Sequence, residues 1–408
     1  MKVALVPGRP VECRFIEHVV APTIWARSVL MKVALVHDYL NQMGGAERVV
    51  LAFHQLFPDA PIYTSIYDPE RVDPAFQSMD IRTSFMQKLP MVTKHHQPYL
   101  PFYPFAMESL DLRGYDLVLS SSSAFGKGVI TRPETLHICY CHTPMRWCWN
   151  YREYVEREQL GKLIRSVLPL LITGLRIWDQ ANAMRVDHFI ANSPVVAERI
   201  QKYYRRDAVV IPPPIDAGRF LFDPGTQPED YFLIVSRLIP YKRIDLAIEA
   251  CNRLQLPLLI IGAGRDLERL KKMSGPSIRF LGRLSDEDVL HYYAHCRALL
   301  FPGEEDFGIT PLEAQASGRP VIAYGAGGAL ASVVDGITGT FFHEPTVESL
   351  ATVLAQYNER WYDPQAIRNH ALEFDMPRFH RRILQYIEAK VSERKPREMR
   401  TPTNELVL

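Results

Sequence analysis

The sequence predicts an α/β protein of two doubly wound, Rossmann-like domains facing each other across a cleft. Three observations predict it. Short apolar runs of strand length alternate with segments of helical period along most of the chain. That alternation implies parallel strands joined by helical crossovers. It is interrupted once, by Ile211-Pro212-Pro213-Pro214-Ile215-Asp216 and by the polar, Gly- and Pro-bearing stretch Asp223 to Asp230. No helix tolerates the first of these. Finally, 408 residues exceed what one ordinary core accommodates.

These breaks give an N-terminal extension (1–30), a first, acceptor-side domain (31–215) and a second, donor-side domain (216–375). A helix over 376–393 is placed to cross back to the first domain, and 394–408 is a polar, basic tail. The extension is set apart by a repeat. Met1-Lys2-Val3-Ala4-Leu5-Val6 recurs as Met31-Lys32-Val33-Ala34-Leu35-Val36. The first copy runs into Pro7-Gly8-Arg9-Pro10, which stops a strand. It reads as dispensable sequence from a misplaced start codon, or else as an extra edge strand. The second copy opens a strand–loop–helix unit: strand Val33 to Val36, a loop from Asn41 to Gly45, and a helix from Ala46 with Val49, Val50 and Phe53 on one face.

Further strands are expected at Ile62 to Ile66, Leu117 to Ser120, His137 to Tyr140, His188 to Ala191 and Ala208 to Ile211. In the second domain they are expected at Tyr231 to Ser236, Leu258 to Ile261, Ile278 to Leu281, Ala298 to Phe301, Pro320 to Ala323 and Thr340 to Phe342. Ligands of such sheets sit outside the carboxyl ends of the strands, here in the interdomain cleft. One stretch fits neither period. Residues 82–107 interleave Arg82, Lys88, Lys94, His95 and His96 with Phe85, Met86, Leu89, Met91, Tyr99, Leu100, Phe102, Tyr103 and Phe105, and four prolines break it. It reads as a surface facing an anionic membrane or an acceptor, or as a long loop packing its aromatics on its own domain.

Bulk composition excludes some classes. Lys and Arg number 47 against 46 Asp and Glu, and a net charge of +1 does not suit a dedicated nucleic-acid binder. The longest apolar run, Val167 to Leu175, contains Pro169 and Gly174 and is too short to span a bilayer. The opening residues lack the apolar core of a secretory signal. A cytoplasmic protein is expected, attached at most to the inner face of the membrane. Cys139, Cys141 and Cys148 cluster around His142, but without the paired spacing of a metal site. Reduced, half-buried thiols are the simpler reading.

Four constellations carry chemistry. In Ser236-Arg237-Leu238-Ile239-Pro240-Tyr241-Lys242, Arg237 ends a strand and Lys242 opens the next helix. Two cations there form a diphosphate clamp, doing the work of a divalent metal on a leaving nucleotide. Taken alone, a solvated basic turn is the favoured reading. In Pro302-Gly303-Glu304-Glu305-Asp306-Phe307-Gly308-Ile309-Thr310-Pro311-Leu312-Glu313, two glutamates, Glu305 and Glu313, flank the start of a helix near Ile309. Its free N–H groups suit a phosphate, Glu313 a ribose diol, and Glu305 a sugar ring. Gly325-Ala326-Gly327-Gly328 is a weaker candidate for a phosphate loop. In the first domain, Gly44-Gly45 and His142 follow strands, and His142 can donate to a sugar hydroxyl. Asp286-Glu287-Asp288 has the pattern of a metal motif, but it follows Ser285 and reads as a capped helix start.

The set Gly44-Gly45, His142, Arg237, Lys242 and Glu305-x7-Glu313 resembles the retaining GT-B glycosyltransferases of family 4, over residues 31 to about 391. The resemblance implies that Arg237 and Lys242 bind the donor diphosphate and that Glu313 binds the nucleotide ribose. It implies that Glu305 and the backbone from Phe307 through Gly308, Ile309 and Thr310 hold the donor sugar. His142 would lie at the sugar's reactive face, and Gly44-Gly45 would close over the phosphates and acceptor. It implies no metal and no cofactor beyond a GDP- or UDP-sugar substrate. His142-Thr143-Pro144-Met145-Arg146 is similar to bacterial members that build O-antigen or exopolysaccharide, many of them from GDP-mannose. The expected reaction moves a hexose, mannose among the candidates, to a glycan or polyprenyl-linked acceptor. A nucleotide-sugar epimerase or hydrolase, or a non-catalytic nucleotide-sugar binder, would need the same second-domain residues.

Overall fold

The computed structural model describes residues 31–150 and 162–394. The extension and the tail from 395 onward lie outside the described residues. Two parallel sheets carry the fold. The first contains β1 (Val33–His37), β2 (Ile62–Thr64), β3 (Ile81–Thr83), β4 (Leu117–Ser122), β5 (Leu136–Cys141), β6 (His188–Ala191) and β7 (Ala208–Val210), in the order β3-β2-β1-β4-β5-β6-β7. The second contains β8 (Phe232–Val235), β9 (Leu258–Ile261), β10 (Ile278–Gly282), β11 (Ala298–Phe301), β12 (Val321–Tyr324) and β13 (Gly339–Phe342), in the order β10-β9-β8-β11-β12-β13. The strand interiors are apolar runs because crossover helices cover both faces of each sheet. This is the doubly wound α/β architecture that the alternation predicts.

Strand order reverses once in each sheet, between β1 and β4 and between β8 and β11. The crevice outside the carboxyl ends of strands at such a reversal is where open α/β sheets bind ligands. His37 and Asp38 end or follow β1, Ser121 and Ser122 end β4, Arg237 follows β8, and Glu305 follows β11. The topology alone therefore brings these residues to the cleft.

The first core is completed from the far end of the chain. Helix α1 (Gly45–Leu56) buries Val49, Val50 and Phe53 on the sheet. Helix Met376–Glu393 buries Phe379, Ile383 and Ile387, one turn apart, in that same core. The Phe379 ring stacks on Phe53 at 5.8 Å and meets Tyr140 edge-on at 6.0 Å. Each such side chain contributes about 1.5–3 kcal/mol on burial. The last helix therefore belongs to the first domain's hydrophobic core, although the second domain precedes it in sequence.

The structure corrects several local readings. Lys242 does not open a helix. It ends the 3-10 turn Pro240–Lys242, and the helix begins at Ile244 after Arg243 in a left-handed conformation. Residues 82–107 are not free of strand: Ile81–Thr83 forms edge strand β3, where Arg82 reaches Asp80 and the Tyr63 hydroxyl. Beyond it the chain runs through short 3-10 turns and the helix Tyr103–Glu108. This stretch divides its apolar side chains. Met86, Val92, Tyr103 and Met107 are buried, whereas Phe85, Met91, Phe102 and Phe105 are exposed. No described helix is long and apolar enough to cross a membrane.

Candidate functional site

Between the two domains lies a cleft of about 1260 Å³, lined by residues of both. His142, Arg237, Lys242, Glu305, Phe307, Gly308, Ile309, Thr310, Glu313, Gly44 and Gly45 all line it. The second-domain wall is built from two loops. Arg237 is exposed just past β8, its guanidinium 3.4 Å from the Tyr241 hydroxyl. Lys242 is largely buried and ion-paired with Glu305 in the loop after β11. The two residues thus neutralise each other, and Lys242 holds the glutamate in place as well as presenting charge. Helix Thr310–Ala316 carries Pro311 in its first turn and buries Glu313. One Glu313 oxygen accepts from the Tyr293 hydroxyl at 2.7 Å, and the other from Arg48 at 2.5 Å.

Gly325-Ala326-Gly327-Gly328 packs against the loop after β11. None of the four lines the cleft. The Gly328 N–H donates to the Glu305 carbonyl at 2.7 Å, and a Cβ at Gly328 would lie 2.1 Å from the Phe307 Cα. These glycines let the β12 loop support the Glu305–Phe307 loop from behind. Gly45, in contrast, faces the cleft directly. A Cβ there would lie 2.9 Å from the Ile309 side chain, so the glycine permits the first domain to approach the second.

Behind the first-domain wall runs a buried polar chain. His142 Nε2 lies 2.8 Å from Ser121 Oγ. His37 Nδ1 lies 3.2 Å from that same oxygen and 3.0 Å from the Ser121 carbonyl. His37 Nε2 faces Glu47 at 3.7 Å, both side chains almost fully buried. Burial opposes charge on both members of this pair. Glu47, Asp38 and the Ser121 carbonyl nevertheless hold His37 above its ordinary pKa, and His37 holds Glu47 below its own. The His37 Nδ1–H therefore points at Ser121, whose hydroxyl proton is directed to His142 Nε2. Burial, reinforced by the charge on His37, pulls His142 down to about 4. His142 is thus a neutral imidazole whose Nδ1–H is its donor, not a group poised between its charge states.

Asp38 anchors the neighbouring loop. It accepts from the backbone N–H groups of Ser123 at 2.7 Å, Phe125 at 2.8 Å and Gly126 at 2.5 Å. Burial acts to raise its pKa, and the His37 charge with these donors lowers it.

Ion pairs tie the two walls together. Besides Arg48–Glu313, Arg146 and Arg199 of the first domain both pair with Asp306. Ser193 Oγ donates to the Asp306 carbonyl at 2.5 Å. The Arg146 guanidinium also sits 5.3 Å from the centre of the Tyr241 ring. Cys139, Cys141 and Cys148 are buried free thiols, and burial pushes all three up. They do not gather with His142 around an ion position. At the Asp286 helix start, Ser285 Oγ accepts from the Asp288 N–H at 3.1 Å.

Two sequence-family profiles match along the chain: "Glycosyltransferase Family 4" over residues 43–219 and "Glycosyl transferases group 1" over 222–373. The boundary between them falls at the linker that separates the sheets. The chain belongs to the family 4 glycosyltransferases.

O-antigen chain mannosyltransferase C of Escherichia coli is 32% identical over 228 residues, covering 52% of this chain and 58% of that protein. The chain spans about half the length of the curated relatives it matches. In fold it is similar to sucrose-phosphate synthase from Thermosynechococcus elongatus, with a TM-score of 0.68, 18% identity, and coverage of 89% and 99% of the two chains. It is also similar to Anabaena Alr3699/HepE, crystallised with UDP and glucose, with a TM-score of 0.64, 16% identity, and coverage of 88% and 100%. These likenesses establish the GT-B arrangement of the two domains.

Sequence reasoning quoted Arg146 only within the His142–Arg146 motif, with no role of its own, and missed Arg48, Arg199, Tyr293, His37 and Asp38. Arg48 had a usable signal, since it lies three residues past Gly45 in the first turn of a helix facing the cleft. The others act through tertiary partners that no local motif marks.

Proposed function

We propose that this glycosyltransferase family 4 chain moves a hexose, with retention and without a metal, from a nucleotide-diphosphate sugar to a glycan or polyprenyl-linked acceptor in cell-surface polysaccharide synthesis. The observation that carries the reading is the convergence of Arg237, Lys242, Glu305 and Glu313 with His142 across one cleft, drawn from the strand ends of two separate sheets. Arg237 and Lys242 take the diphosphate and offset charge on the leaving nucleotide. Glu313 takes the ribose diol. Glu305, Phe307, Gly308, Ile309 and Thr310 hold the sugar. The neutral His142 donates from Nδ1 to a sugar hydroxyl, and Gly44-Gly45 borders the phosphates and the acceptor. A mannosyl donor is favoured by the O-antigen chain mannosyltransferase relative.

The exposed Phe85, Met91, Phe102 and Phe105, close in sequence to Lys88 and Lys94, favour a first domain that rests on an anionic membrane holding the acceptor. An epimerase, a hydrolase or a plain binder would share the donor wall but would need no acceptor.

The test is incubation with labelled GDP-mannose and UDP-glucose, with and without polyprenyl-linked acceptors, in the presence of a chelator. The reading expects acceptor-dependent product with the donor's anomeric configuration. Replacement of Arg237 or Lys242 by Ala should cost about 2–4 kcal/mol of transition-state stabilisation. Donor turnover that ignores every acceptor would favour the epimerase or hydrolase. Strict dependence on an added divalent ion would remove the metal-free clamp.

A further inference from the structure

On the outer side of the second domain, helix α2 (Asp286–His295) ends in two histidines one turn apart, His291 and His295. Their rings lie 4.2 Å apart, tilted by 35°. Spacing of four on one helix face brings two imidazoles together without any ligand. Two further observations go beyond that. Glu229 arrives from a segment more than sixty residues earlier, and its carboxylate and the two imidazoles put three donor atoms within 4.8 Å of one another. Its backbone is fixed there, because the Glu229 N–H donates to the His295 carbonyl at 2.7 Å and its own carbonyl accepts from Tyr231 at 2.9 Å. In addition, His295 Nδ1 lies 2.8 Å from the His291 carbonyl. A carbonyl accepts only, so Nδ1 carries the proton and Nε2 presents its lone pair. This is the tautomer lock usual for a metal-ligating histidine.

We propose that Glu229, His291 and His295 form a binding site for a divalent transition-metal ion of the zinc class. Two imidazole nitrogens and one carboxylate oxygen suit zinc, and also nickel, cobalt or copper(II), over magnesium or calcium, which prefer oxygen donors. Bonds of about 2.0–2.1 Å in tetrahedral geometry bring ligand atoms to about 3.3 Å, a small rotamer adjustment from the observed spacing. Water completes the coordination. The ion lies at the negative end of the helix, which favours a cation. It ties the segment entering β8 to the end of α2. None of the three residues lines the cleft. The site is therefore separate from sugar transfer, although α2 also carries Tyr293, which holds Glu313.

The test uses the full chain stripped of metal, titrated with zinc by calorimetry and followed by thermal melting. Wild type should bind one zinc ion that a His291→Ala/His295→Ala double variant does not bind, and its Tm should rise on zinc addition while the variant's does not. Glu229→Gln should weaken that binding at least about tenfold, because a neutral amide oxygen replaces a charged carboxylate ligand. Magnesium should produce neither effect. In the absence of metal, the double variant should melt with the wild type; if it does not, Glu229→Gln becomes the deciding comparison. Equal zinc stoichiometry and affinity in wild type and the variants, or no zinc binding by wild type, would overturn the proposal.

Discussion

Replacing Glu47 by Gln removes one partner of the buried His37–Glu47 pair and keeps the shape of the side chain. Both side chains are nearly inaccessible, 2% and 3% exposed, so solvent screening is slight. Breaking such a pair typically costs about 3–5 kcal/mol, because the remaining charge is left unpaired. His37 can escape part of that cost by losing its proton, which makes the penalty depend on pH.

The folded pKa of His37 is raised above 6.5, so its contribution is fully present below pH 6.5 and is lost as pH rises through the folded value. The folded pKa of Glu47 is lowered below 4.5, so its contribution is present above pH 4.5 and is lost as pH falls through the folded value. Between those limits wild type keeps the pair. The variant must instead deprotonate a buried His37, and below pH 6.5 this costs about 1.4 kcal/mol more for each unit of falling pH. Chemical denaturation of both proteins at pH 5.5, 6.5 and 8 should show a destabilisation that grows toward pH 5.5. A difference that stays flat across this range would refute the ionised pair, and with it the direction assigned to the hydrogen bonds behind His142.

Two further outcomes follow from the same reasoning. Arg48 holds the Glu313 oxygen that a ribose diol would use, and its side chain is 48% exposed, so the pair contributes only about 0.5–1 kcal/mol; Arg48→Ala should bind nucleotide about two- to fivefold more tightly in a fluorescence titration, and a tenfold loss would instead make Arg48 a direct donor contact. Lys127 is paired with Asp179 of helix Lys162–Ala183, both buried, and Asp179 also accepts from Trp149 and Tyr204; Lys127→Met should destabilise by about 3–5 kcal/mol in urea unfolding, and a loss below about 1 kcal/mol would show that the carboxylate is readily neutralised.

The fold was legible because its signal is redundant. Twelve strand-length runs keep their period, and one proline-rich break divides them. What escaped was β3, whose three residues include Arg82 and lie at a sheet edge, where no apolar run is required. In the site, Arg237, Lys242 and Glu305 stood out because each lies after a strand in a stretch of unusual composition, and Glu313 because it follows Pro311 at the start of the next helix. Their partners did not. Arg48 meets Glu313 across 265 residues of sequence, and Arg146 meets Asp306 across 160. Such pairs exist only once two separately folded sheets face each other. The Gly325–Gly328 loop shows a related ambiguity: glycine marks a close backbone approach, here to Glu305 and Phe307, without saying from sequence what makes it.

The measurement closest to the central claim is calorimetric binding of GDP and UDP to wild type and to Arg237→Ala and Lys242→Ala. A cleft built to hold a nucleotide diphosphate on these two cations should bind one nucleotide per chain, and each variant should bind about 10- to 100-fold more weakly, the loss of one charge-assisted contact. A wild type that binds neither nucleotide, or variants that bind as tightly as wild type, would contradict the account.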